Sequence, residues 1–316
     1  MSLAYLLRRL IYTAVTLLLV SLLVFVITQV LPGNAAQMVL GEFATPEAVR
    51  ALENRLGLDA PHWLQYLRWL SGIMRWDWGV SLSTSLPVVS LVVQDLGRSL
   101  LLAGTSLVLV TVLAIPLGIL AALHRGKATD VGVSLLSYVG VSMPEFVAAT
   151  LLLVLLARPE IGFFPAGGYE PISAGFWQFV RHLVLPSLAL AFILMAHISR
   201  QTRSEMVDVL QADYVRTAVL KGLPLRRVVR KHALRNAMIP TITVISLDVG
   251  YLIGGIVVVE EVFAYPGLGR LLIAAMQTRD LPLLQGAVLA VAAIYALSNL
   301  AADLAYAALD PRIRYA

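Results

Sequence analysis

Apolar positions in this chain gather into six long runs parted by polar segments. They are Leu10–Leu31, Ser99–Leu123, Val131–Ala157, Leu183–Ile198, Ile239–Val259 and Leu284–Leu309. About 20 apolar residues in helical form cross a bilayer core. Backbone groups in lipid must satisfy one another, which a helix does within itself. The pattern therefore predicts an all-α polytopic membrane protein with six transmembrane helices. The fourth run is short as bounded, and its helix is expected to begin upstream, between Phe176 and Phe179. Arg8 and Arg9 precede the first run as in a signal peptide. That run has 22 residues, against about 7–15 for a signal h-region, so it reads as a retained span.

The polar segments divide the chain further. Residues 1–98 hold the first span and a long loop from Pro32. Residues 99–309 hold the other five spans, and 310–316 form a tail. In the long loop, Pro46 to Leu56 reads as a short amphipathic helix with Thr45 as its N-cap. Trp63, Tyr66, Trp69, Trp76 and Trp78 follow, a density that suits the headgroup layer. An interfacial anchor is the favoured reading, and a docking surface for an external partner the alternative. Between the fourth and fifth runs, Met206, Leu210, Tyr214 and Ala218 keep helical spacing. Gly222 stops that helix and Pro224 opens another.

Composition agrees with membrane residence. The chain is 59% hydrophobic and 14% charged, where a soluble domain carries about 25% charge. Nine of the 24 Lys and Arg residues fall between Ser199 and Met238: Arg200, Arg203, Arg216, Lys221, Arg226, Arg227, Arg230, Lys231 and Arg235. Only Glu205, Asp208 and Asp213 oppose them. By the positive-inside rule this loop is cytoplasmic, with both termini inside. The same rule explains the net charge of +5 without nucleic acid. With no cysteine, disulfides, iron–sulfur clusters and a thiol nucleophile are excluded.

Candidate chemistry inside the spans is sparse. Glu145, Asp248 and Asp303 fall within or near the ends of apolar runs. Acids there are costly and face a bundle interior or a wet path. Asp248 sits deepest, as a pathway acid or as one member of a structural pair. Glu145 follows Pro144 and can serve backbone freed there. Asp303, with Asn299 one turn away, suits interhelix bonding. Pro116, Pro144, Pro186, Pro240 and Pro282 are candidate bends. Gly250, Gly254 and Gly255 form a small-residue packing motif. His62, His124, His182, His197 and His232 make no metal-ligand spacing. Neither a phosphate-binding Gly-x-x-x-x-Gly-Lys-Ser/Thr run nor a hydrolase signature is present.

Tyr214-Val-Arg-Thr-Ala-Val-Leu-Lys-Gly222-Leu, followed by His232-Ala-Leu-Arg-Asn-Ala-Met-Ile-Pro240, resembles the loop of ABC-importer permeases, in the dipeptide/oligopeptide/nickel branch. Leu58-Asp59, Gln65-Tyr66-Leu67 and Trp78-Gly79-x-Ser81 agree with that branch. So do Arg181-His182-Leu183-Val184-Leu185-Pro186, Glu260-Glu261-Val262-Phe263 with Pro266-Gly267-Leu268-Gly269, and Arg279-Asp280-x-Pro282. Asn299, Asp303, Tyr306 and Asp310-Pro311-Arg312 complete the likeness. Departures are local: Arg216 and Thr217 stand in place of Glu-Ala, Asn34 where Pro-Gly-Asp is usual, and Gly97-Arg98 where proline is common.

The resemblance implies a bacterial or archaeal inner-membrane permease of an ATP-driven importer, with short peptides as the expected cargo. It also implies a second, related permease, two ATPase subunits and an external substrate-binding protein as partners. ATP and Mg would be held by the ATPases, with no cofactor in this chain. The implied ATPase-coupling residues are Tyr214, Arg216, Thr217, Ala218, Lys221, Gly222 and Leu223, with Glu145, Asp248 and Asp303 as pathway candidates. Small Ala218 and Gly222 would admit the partner closely. An ion-coupled carrier using Asp248 is the alternative, although no inverted repeat supports it. An intramembrane enzyme lacks its catalytic pairs.

Overall fold

The computed structural model of the chain describes residues 3–30, 45–47, 50, 60–158 and 162–309. Its named helices are α1 (Leu3–Val30), α2 (His62–Met74), α3 (Val88–Leu123), α4 (Ala128–Ser142), α5 (Glu145–Leu156), α6 (Phe176–Leu210), α7 (Asp213–Leu220), α8 (Leu225–Val228), α9 (Leu234–Val262), α10 (Leu268–Gln277) and α11 (Leu281–Leu309). A five-residue π-turn, Val229–Ala233, joins α8 to α9. Most of the expected Pro46–Leu56 helix lies outside the described residues. Asn34, Leu58-Asp59 and 310–316 also lie outside them.

Among the described residues five helices are long and apolar enough to span a membrane, and α4 with α5 are apolar enough to do so as a pair, bent by 111° at their break. The third apolar run is thus broken into two helices. Met143 is extended at φ −95°, ψ 121°, and Pro144 follows at φ −59°, ψ 146°. A residue before proline avoids the helical region, and proline has no N–H to bond back. Pro116, Pro186 and Pro240 instead lie inside continuous helices. Pro282 is the second residue of α11, in the first turn, where its missing N–H has no intrahelical partner to lose. Helix α6 begins at Phe176, as the sequence suggests, and runs beyond the apolar stretch to Leu210.

The chain forms two compact units. Among the described residues, one comprises those of 3–6, 100–265 and 297–309; the other joins those of 7–99 to 266–296. In the first, α9 packs along α6 and α5, and α6 also packs on α4. Leu185, Leu190, Ile198, Leu252 and Ile256 contribute to its core. The segment after α9 is pinned: the Gly168 N–H donates to the Phe263 carbonyl at 2.8 Å. Tyr169 meets the ring of buried Tyr265 edge-on at 5.5 Å. Gly167 lies so close to that same Phe263 carbonyl that a β-carbon would not fit.

In the second unit α2 lies on α1 through aromatics. Phe25 is 5.4 Å from Tyr66 and 5.9 Å from Trp69 between ring centres. The Tyr66 and Ser21 hydroxyls share a hydrogen bond of 2.9 Å. The opposite face of α2 exposes Trp63, Leu67 and Met74, as suits an amphipathic helix at a lipid boundary. Two distant motifs also meet here. The Asp280 Oδ2 accepts from Ser81 Oγ at 2.6 Å, Ser83 N–H at 3.0 Å and Ser83 Oγ at 2.9 Å. Its Oδ1 takes the Leu283 N–H at 3.2 Å, which caps the start of α11.

Candidate functional site

Helix α6 does not run through to Gly222. It stops at Leu210, the chain turns at Gln211 and Ala212, and α7 starts at Asp213. The end of α7 closes as a Schellman turn. The Gly222 N–H donates to the Val219 carbonyl at 2.9 Å and the Leu223 N–H to the Ala218 carbonyl at 3.4 Å. Gly222 sits at φ +73°, a conformation nearly confined to glycine. A β-carbon there would meet nothing within 4 Å in this chain. Its surroundings are open.

The faces of α7 sort cleanly. Val215 and Ala218 are buried and pack with Val228, against Val209, Leu210 and Leu223. Ala218 therefore supports the elbow from within, because its small side chain lets α7 lie close to α8. The partner-facing role expected of it from sequence is not where the structure puts it. Tyr214, Arg216, Thr217, Val219, Leu220, Lys221 and Gly222 are exposed. Leu220 is 80% exposed and Leu225 63%. No spacing or charge pattern marks this apolar tip in the sequence, where the small and basic positions stand out. Tyr214 is tethered: the Asn236 Nδ2 donates to its hydroxyl at 2.8 Å. The Thr217 hydroxyl bonds back to the Asp213 carbonyl.

The intramembrane acids separate into distinct settings. Asp248 on α9 is 8% exposed. Its Oδ1 lies 3.2 Å from His197 Nδ1 on α6, and its Oδ2 is buried without a hydrogen-bond partner. Glu145 opens α5 beside the Met143–Pro144 break. It lines a cavity of about 420 Å³ together with Ser142, Ile193 and Tyr251. Positions 248, 251 and 255 fall on one stripe of α9, so Asp248, Tyr251 and Gly255, where an added β-carbon would meet the Glu145 carboxyl, share a face. Asp303 is half-buried on α11, apart from this stripe in the chain. Among the described residues no three His, Asp or Glu side chains gather as a metal site.

Comparison with known proteins gives this geometry a context. Residues 114–315 match the sequence model for the binding-protein-dependent transport system inner membrane component. Residues 2–95 match the corresponding N-terminal model for such membrane components. The dipeptide transport system permease protein DppB of Alkalihalophilus pseudofirmus is 37% identical, over 99% of this chain and 100% of its own length. DppB of Escherichia coli is 39% identical over 99% of both chains. The oligopeptide transport system permease protein AppB of Bacillus subtilis is 37% identical over 99% of both.

Proposed function

Because the chain belongs to the family of binding-protein-dependent transport system inner membrane components, we propose that it forms half of the pathway of an ATP-driven importer for short peptides. The peptide cargo follows from the full-length likeness to dipeptide and oligopeptide permeases. A second, related permease would supply the other half, and an external binding protein would deliver the substrate. Two ATPase subunits would hold ATP and Mg. Both termini and the 199–238 loop would face the cytoplasm, as the basic residues there favour.

The elbow carries this reading. It presents Leu220, Val219 and Lys221 outward around an open Gly222, on a backbone closed from within by Ala218 and Val215. An exposed apolar tip ringed by Arg216 and Lys221 fits a groove with apolar walls and an acidic rim on an ATPase. When ATP draws two such subunits together, the elbows move with them and the spans tilt. Glu145 and Asp248 supply negative charge toward the pathway, suited to a peptide ammonium; Asp303 is a third candidate.

The test is Gly222→Asp, which places a charge at the open point of contact. The variant should insert normally, lose ATPase co-purification and lose uptake. Normal uptake in that variant overturns the elbow's role. An ion-coupled carrier using Asp248 would instead concentrate substrate in vesicles holding this chain alone. Uptake that requires the ATPase and is blocked by vanadate separates the two.

A further inference from the structure

Asp130 lies in the first turn of α4 with its side chain only 6% exposed. It is gripped by Arg203 of α6 through two bonds: Nε donates to Oδ1, and Nη2 donates to Oδ2 at 2.8 Å. The Gly126 N–H completes the set, donating to Oδ2 at 2.9 Å from a residue at φ +76°. The pair thus binds the α3–α4 turn and the start of α4 to α6.

Nearby contacts lock the same stretch of α6 on two sides. A β-carbon at Gly118 of α3 would lie 2.6 Å from both the Ser199 carbonyl and the Thr202 β-carbon. A β-carbon at Gly140 of α4 would lie 2.7 Å from that of Ala196. The Ser137 and Ser199 hydroxyls share a bond of 3.0 Å. From Arg203, α6 continues without a break to Leu210, and α7 begins at Asp213. At 1.5 Å per residue the pair stands roughly 15 Å from the elbow along the chain. Helix α4 in turn ends at the 111° break that sets Glu145.

We propose that the Asp130–Arg203 pair is the positioning strut that makes α4 follow the elbow, so that motion received at α7 reaches the bent helix pair α4–α5. This rests on the elbow reading above. The choice of chemistry supports it. A buried ion pair adds little net stability compared with well-packed apolar groups. A bidentate guanidinium–carboxylate contact instead fixes direction as well as distance. The glycine and serine contacts allow α3, α4 and α6 to lie close; the two-pronged bond keeps them from sliding.

The experiment uses the full transport complex in proteoliposomes and reads ATP hydrolysed per substrate imported. Arg203→Lys keeps the charge and loses the fork. Asp130→Leu with Arg203→Met removes both charges and refills the space. Both variants should assemble with the ATPase and hydrolyse ATP, while substrate imported per ATP falls by about tenfold, on the scale of an ordinary coupling free energy. Wild-type import per ATP in either variant overturns the strut. Failure of both variants to accumulate in the membrane makes the pair a folding element and overturns it too. Failure of the elbow reading looks different: Gly222→Asp would then keep both the ATPase and uptake, whatever the strut variants do.

Discussion

The carboxyl group of Glu145 fills the space that a side chain at Gly255 would need. A β-carbon at Gly255 would lie 2.5 Å from Oε1 and 2.6 Å from Cδ and Oε2. Its neighbour Gly254 faces open space, with nothing within 4 Å. The two glycines look equivalent in sequence and differ completely in duty. Gly255→Ala must therefore make the Glu145 carboxyl swing aside, which the end of a flexible side chain can do without moving α5, at a cost of about 0.5–1.5 kcal/mol for the strained rotamer. Gly254→Ala should be neutral or slightly stabilising, since alanine is the better helix former. Thermal unfolding of the purified protein checks both. Adding Glu145→Ala to Gly255→Ala should recover part of the loss, and strictly additive effects would deny the contact.

The apolar tip of the elbow yields a second expectation. Leu220 touches little of its own chain, so Leu220→Ser should leave the melting temperature nearly unchanged. Burying a leucine on a partner is worth about 1.5–3 kcal/mol, so the apparent affinity of the ATPase should fall roughly 10- to 100-fold. Titration of the ATPase onto the detergent-solubilised permease measures it. Ala218→Leu should behave in the opposite way, destabilising the elbow itself, because Ala218 is packed against Val215 and Val228.

Much of this architecture is written in the chain as apolar period and charge. The spans, the early start of α6 and the glycine stop at Gly222 are local matters that hydropathy and backbone preference report. The break at Met143–Pro144 is less visible, because both α4 and α5 are apolar and hydropathy runs straight across them. Pro144 breaks its apolar run while Pro116, Pro186 and Pro240 do not, so proline alone was an ambiguous sign. The pairs His197–Asp248 and Arg203–Asp130 join residues 51 and 73 positions apart. No spacing rule spans such distances, and Arg203 looked like one more basic residue of a cytoplasmic loop. Ala218 was misplaced for a related reason: helical spacing shows which residues share a face, not which neighbour covers it.

Asp248 offers a third expectation, tied to the peptide reading. Its Oδ2 is buried without a partner, and His197 on the other oxygen is half exposed. Asp248→Asn keeps the shape and removes the charge. Uptake of peptides with a free ammonium should slow relative to N-acetylated ones, measured by competition in the reconstituted complex. An equal effect on both kinds would assign Asp248 to holding α6 and α9 together. His197→Gln, which leaves the carboxylate in place, should preserve the preference.

The clamp at Asp280 makes a prediction about acid. Asp280 is completely buried, and burial alone would raise its pKa. The hydrogen bonds from Ser81, Ser83 and the Leu82 backbone outweigh that and hold it below the ordinary value of 3.8. A carboxyl group with a lowered native pKa stabilises the fold fully above its unfolded value. That contribution is lost as the pH falls through the lowered native one. The joint between the 81–84 turn and the start of α11 should therefore hold throughout neutral and mildly acidic conditions and release only below about pH 4. In Asp280→Asn the amide keeps one acceptor and turns its NH2 toward the backbone N–H of either Leu283 or Ser83, leaving a buried donor unpaired at about 1–3 kcal/mol. The variant should exchange the Ser83 and Leu283 amide hydrogens faster at pH 7. It should also lose the extra acid-induced loosening that the wild type shows below pH 4. Equal exchange in the two proteins at pH 7 would mean that Asp280 does not hold this joint.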